Sequence, residues 1–108
     1  MKPLILMSLA LALVAGCTAR DDRVRFDGEV FRGKASHDRD DRRKFTVEVS
    51  PVSASLDGAR EAGRFEGIKY CINEYGTSNI EWSVGPDTDP AALVIERDRL
   101  SFAGMCKR

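Results

Sequence analysis

From Lys44 to Val49 polar and apolar residues alternate without a break: Lys44, Thr46 and Glu48 on one side, Phe45, Val47 and Val49 on the other. That period of two is the signature of a half-buried β-strand, and Pro51 closes it or places it at an edge. A first strand is predicted upstream, from Val24 to Ala35. There Val24, Phe26, Gly28 and Val30 alternate with charged residues, the phase slips at Phe31, and a bulge near Val30-Phe31 would absorb the slip. Ser36 to Arg43 reads as a charged turn. Residues 55–75 change period: Phe65, Ile68, Ile72 and Tyr75 share one helical face with Cys71 at its border. Ser55 suits the N-cap and Gly76 the C′ stop. A second row, Ala59, Gly63, Gly67 and Cys71, recurs every four residues, and small side chains so spaced would let a helix lie close against a sheet. Ile80, Trp82 and Val84 alternate as a further strand ended by Gly85-Pro86. Asp87 to Pro90 is a turn, and Leu93–Glu96, Arg97–Arg99 and Leu100–Cys106 read as a closing hairpin. In that last strand Leu100, Phe102, Gly104 and Cys106 fall on one face. The predicted order is ββαβββ, an α+β fold with a small antiparallel sheet covered on one face by one helix.

The beginning of the chain follows another logic. Met1-Lys2-Pro3 leads into Leu4 to Val14, apolar throughout except for Ser8, and small residues follow. One basic residue, an apolar run of about a dozen and a small-residue site form the layout of an export signal, too short to span a bilayer, which takes about 20 residues. Leu13-Val14-Ala15-Gly16-Cys17 resembles the lipobox of bacterial lipoproteins, over the first 17 residues only. The resemblance implies that the signal, residues 1–16, is cleaved and that Cys17 carries lipid. Several acyl chains, at about 0.8 kcal/mol per buried methylene, hold a protein on a membrane where one would not. It also implies, from Thr18 in place of an aspartate, sorting to the outer membrane of a Gram-negative cell, facing the periplasm. Residues 17–23 would then be the lipidated cysteine and a short tether, and six extended residues after Cys17 span roughly 20 Å. Residues 24–108 form the single α+β domain.

With Cys17 assigned to lipid, Cys71 and Cys106 remain, an even pair in a compartment where disulfides persist. A disulfide is the expectation; a metal site would want further ligands, and His37 is the lone histidine. Closing a loop of about 35 residues stabilises by roughly 4 kcal/mol in the chain-entropy treatment. Charge adds little. The chain balances 17 basic against 17 acidic residues, and cleavage removes Lys2 alone among them. There is no basic excess for nucleic acid, and no block of like charge.

Three motifs invite chemistry and lose it on inspection. Residues 28–34 match the spacing of a phosphate-binding loop, but Ala35 stands where a magnesium-binding hydroxyl is needed, and no helix opens there. Residues 36–44 gather His37, Asp38, Asp40 and Asp41, but arginines interrupt the run and the glycine of a calcium loop is missing. His37 has no nucleophile or orienting acid at a recognisable spacing. Trp82 is expected in the core rather than as a stacking platform. No catalytic residue, metal or cofactor is assigned. The expectation is a non-enzymatic envelope lipoprotein that binds a protein partner at the membrane surface, showing a flat patch or an unpaired strand. The alternative is a small ligand-binding or inhibitor module, showing a concave pocket lined by Trp82 or Tyr75.

Overall fold

The computed structural model describes residues 24–107. Its strands are β1 (Arg25–Phe26), β2 (Glu29–Val30), β3 (Arg32–His37), β4 (Lys44–Ser50), β5 (Ile80–Val84), β6 (Val94–Glu96) and β7 (Arg99–Cys106), with one long helix, α1 (Leu56–Tyr75), between β4 and β5. β1 and β2 pair only with each other. The main sheet runs β3-β4-β7, and β5 and β6 both pair with β7, all antiparallel. Since β4 and β6 both meet β7 at Ser101, β5 and β6 share the edge of β7 that β4 leaves free. The fold is α+β, one helix against one face of a small antiparallel sheet.

The single strand predicted over 24–35 is instead three: the hairpin of β1 and β2, and then β3. Asp27 and Gly28 take positive φ, 54° and 77°, and turn the chain back so that Arg25 faces Val30. An Asp-Gly pair is the residue choice for such a two-residue hairpin, because both central positions need φ above zero. Phe31, where the apolar phase slips, is the break between this hairpin and β3. β3 then runs to His37, two residues past the predicted end.

Helix α1 starts and stops where its caps say it should. Ser55, with extended backbone, accepts the Gly58 N–H on its hydroxyl oxygen at 2.9 Å. Gly76 ends the helix at φ 68°, its N–H donating to Ile72 O at 2.9 Å. The left-handed turn needs a residue without Cβ strain, hence glycine.

What the helix buries differs from the pattern of its large residues. Gly58, Ala59, Ala62, Gly63, Gly67 and Cys71 face inward. Phe65 and Ile72 are 40 % and 49 % exposed. The face of Phe65, Ile68, Ile72 and Tyr75 is therefore not the core face, although Tyr75 packs against the core's edge. The reason lies on the sheet. Phe45, Val47 and Val49 of β4 and Leu100, Phe102 and Cys106 of β7 supply the bulk of the core. Phe102 and Trp82 already fill the layer between sheet and helix: a Cβ at Gly63 would meet the Phe102 ring, and one at Gly67 would lie 2.5 Å from Trp82 Cη2. Close packing tolerates no second large residue there. Trp82 itself is half-buried, edge-on to both Phe45 and Phe102 at centroid distances of 5.5 and 5.7 Å.

Candidate functional site

Cys71, on the inward row of α1, and Cys106, at the end of β7, are bonded to each other, with Sγ atoms 2.01 Å and Cα atoms 5.6 Å apart. Both are buried, and the bond ties the helix to the central strands across 35 residues of chain. Neither sulfur is a thiol, so neither is a nucleophile or a thiolate ligand in this state. Cys17 lies outside the described residues, and so do the expected signal of residues 1–16 and the expected tether of residues 17–23. Among the described residues no group of three or more His, Cys, Asp and Glu is placed to hold a metal ion.

The charged turn after β3 spends its polar groups on itself. Asp38 O is 2.9 Å from His37 Nδ1, which donates to it, and the Asp38 carboxylate accepts the Asp40 N–H at 2.8 Å. Asp41 takes the Arg43 N–H at 3.0 Å and both arms of its guanidinium, Nε at 3.2 Å and Nη2 at 3.1 Å. Those hydrogen bonds from Arg43 hold the Asp41 carboxyl below the usual carboxylate range and raise Arg43 in turn. The Tyr70 hydroxyl donates to Arg42 O at 2.6 Å, pinning the turn to the helix. Burial, then the nearby charge of Glu74, pushes the Tyr70 phenol up. His37, Asp38, Asp40 and Asp41 do not converge on a common point; they shape a hairpin end. The segment 28–34 is likewise a turn and strand, with β3 where a phosphate-binding loop would open a helix.

Two surfaces stand out instead. The sheet face turned away from α1 presents Lys44, Thr46 and Glu48 of β4 in register with Met105, Ala103 and Ser101 of β7, Glu81 of β5 opposite Met105, and Ser83 at the irregularity between Trp82 and Val84. A shallow groove of about 460 Å³ crosses it between His37, Lys44, Thr46, Glu81 and Met105. Its walls include neither Trp82, which lies on the core side, nor Tyr75, at the end of α1. Beside this face runs β6. It pairs with β7 along one side, and among the described residues no strand pairs with its other side. Val94 and Ile95 in it are 46 % and 44 % exposed. Its turn is braced: Arg97 and Asp98 have φ of 54° and 63°, and the Asp98 carboxylate accepts the Ser53 N–H and hydroxyl, each at 2.8 Å.

The second surface is the outer face of α1. Phe65 stacks on Phe26 of the first hairpin, ring centroids 5.6 Å apart, and Lys69 Nζ lies 5.3 Å from the Phe65 centroid. A groove of about 160 Å³ runs between Val24, Phe26, Phe31 and Phe65. Helical periodicity places Phe65 and Ile72 on one face without saying which way that face looks. The competing four-residue row of small side chains was the signal that they face outward.

Comparison of the chain with protein-family models, with curated proteins and with solved structures found no match.

Proposed function

We propose that this protein is a membrane-anchored lipoprotein of the cell envelope, held through lipid on Cys17, whose α+β domain binds another envelope protein without catalysing a reaction. The resemblance of residues 13–17 to a lipobox supports the anchor, and the Cys71–Cys106 bond suits a compartment that keeps disulfides oxidised. In a Gram-negative cell the address is the outer membrane, facing the periplasm.

The observation that carries the partner reading is β6. An edge strand with exposed Val94 and Ile95, one side paired and the other presenting its backbone, is a template for strand addition. Natural edges are commonly blunted by charge or proline, and β3, with Arg32 and Lys34, is of that kind. β6 carries only Glu96 at its end. Main-chain hydrogen bonds would supply affinity, and Val94 and Ile95 would supply contact on either face of the added strand.

The test is a photo-cross-linking residue at position 94 in the lipidated protein in intact cells, with position 46 as comparison and a Cys17→Ala form directed to the same compartment. One abundant envelope protein captured from position 94, and lost in Cys17→Ala, supports the reading. A blank at good labelling efficiency rejects it, and the groove between Lys44 and Glu81 would then be screened for small ligands.

A further inference from the structure

We infer that the outer face of α1 rests on the surface of the lipid membrane that carries the Cys17 anchor, so that Phe65 and Ile72 enter its interfacial layer. The inference depends on Cys17 being lipidated, and adds to that reading which side of the domain meets the bilayer.

Three observations lead there. First, the helix is packed inside out: small residues fill the interface with the sheet, while Phe65 and Ile72 stay about half exposed. Neither belongs to the buried core, where Phe102 and Trp82 press on Gly63 and Gly67, and the contact of Phe65 with Phe26 leaves 40 % of Phe65 exposed. Phe65, Lys69 and Ile72 are spaced four and three apart, so they form one stripe along the helix. Lys69 reaches over the Phe65 ring, 5.3 Å to its centroid, with its ammonium 3.2 Å from Glu66. An apolar stripe crossed by a long cationic side chain suits the boundary between acyl chains and headgroups.

Second, the chain enters the domain at this face. Val24, 54 % exposed, lines the same groove as Phe26 and Phe65. Third, the tether is short. Only residues 18–23 separate Cys17 from Val24, a reach of roughly 20 Å when fully extended. The Val24–Phe65 groove therefore lies within one tether length of the anchored cysteine, and the opposite sheet face lies a full helix-and-sheet thickness farther off.

Two apolar side chains do not bind a membrane alone. The anchor makes their insertion intramolecular, so a weak contact suffices to orient the domain. That orientation turns the open sheet face away from the bilayer and leaves the β6 edge accessible to a neighbouring protein.

The experiment places a nitroxide at position 65, 72, 46 or 101 in turn, by F65C, I72C, T46C or S101C in the full lipidated chain, on vesicles of phosphatidylethanolamine and phosphatidylglycerol. Accessibility to a water-soluble nickel complex is read against accessibility to oxygen, and the mass of the acylated Cys17 peptide is read on the same sample. Expected are several-fold lower nickel accessibility and higher oxygen accessibility at 65 and 72 than at 46 and 101. Acylated protein whose positions 65 and 72 are as open to nickel as 46 and 101 would overturn the docking and leave the anchor standing. A Cys17 peptide without acyl chains would overturn the anchor and the docking with it. Equal protection at 65 and 72 in the Cys17→Ala protein free of vesicles would assign the face to a second copy of the chain and also overturn the inference.

Discussion

Gly67 is the floor on which Trp82 stands: the indole Cη2 reaches to 2.5 Å from where a Cβ on Gly67 would be, and Phe45 Cε2 to 3.2 Å. A helix residue without a side chain is here a packing requirement of the strand opposite. In an exposed helix, Gly67→Ala would gain up to about 1 kcal/mol of helix propensity. Against the Trp82 ring it meets overpacking of about 1–3 kcal/mol, which wins. Gly67→Ala should therefore destabilise by about 1–2 kcal/mol in urea unfolding. Trp82→Phe, which removes the ring tip, should restore part of that loss in the double variant. Additive effects of the two substitutions would show that the contact is not what excludes alanine.

The Cys71–Cys106 bond closes a loop of 35 residues in a domain with a modest core. Reduction should lower unfolding stability by about 3–4 kcal/mol, less any strain relieved in the native state. Urea midpoints with and without reductant measure this directly. A Cys71→Ser, Cys106→Ser form should be less stable than the reduced protein, since both sulfur positions are buried and each serine puts there a hydroxyl with no partner in hand.

Ser55 serves two elements at once: its oxygen caps Gly58, and its hydroxyl donates to Asp27 Oδ2 at 2.6 Å. Ser55→Ala should cost about 1–2 kcal/mol from the lost cap and the untied hairpin. Aspartate is ordinarily as good an N-cap as serine. Here Ser55→Asp would set a second carboxylate against Asp27, so it should not restore stability at neutral pH unless Asp27→Asn accompanies it. Full rescue by Ser55→Asp alone would mean that the Asp27 bond contributes nothing.

The Tyr70 phenol should ionise later than an ordinary tyrosine. In a Tyr75→Phe protein the remaining phenol should titrate above the ordinary value of about 10, because burial and then Glu74 disfavour the phenolate. The folded state thus prefers the neutral form. Its contribution is fully present below the unfolded pKa and is lost as pH rises through the raised folded one. Tyr70→Phe should remove this alkaline dependence and cost less than about 1 kcal/mol at neutral pH, the worth of a partly exposed hydrogen bond to Arg42 O. A spectrophotometric titration that finds the Tyr70 phenol at or below its ordinary value would contradict the burial account.

Much of the architecture is a local matter and is legible in the chain. Period-two alternation over 44–49 and 80–84, the serine and glycine bounding residues 55–75, and the Leu100–Cys106 stripe are set by φ/ψ preferences and side-chain direction within a few residues. Even the Asp27-Gly28 turn carries its own local signal, though it interrupts an alternation that otherwise reads as one strand. The even pair of cysteines left once Cys17 is set aside likewise points to a bond between helix and last strand without any coordinates. The row of Ala59, Gly63, Gly67 and Cys71 reads from the chain as suited to lie against a sheet; what only the tertiary structure decides is that it does so to the exclusion of Phe65 and Ile72. Phe65, Ile68 and Ile72 compete with Ala59, Gly63 and Gly67 for the core, and helical periodicity serves both rows equally. The choice is made across the layer by Phe102 and Trp82, residues 39 and 15 positions away from the glycines they cover. A close-packed interior has a fixed volume to fill, and once the sheet fills it with aromatic rings the helix can bring only small residues there, leaving its large ones to the outside.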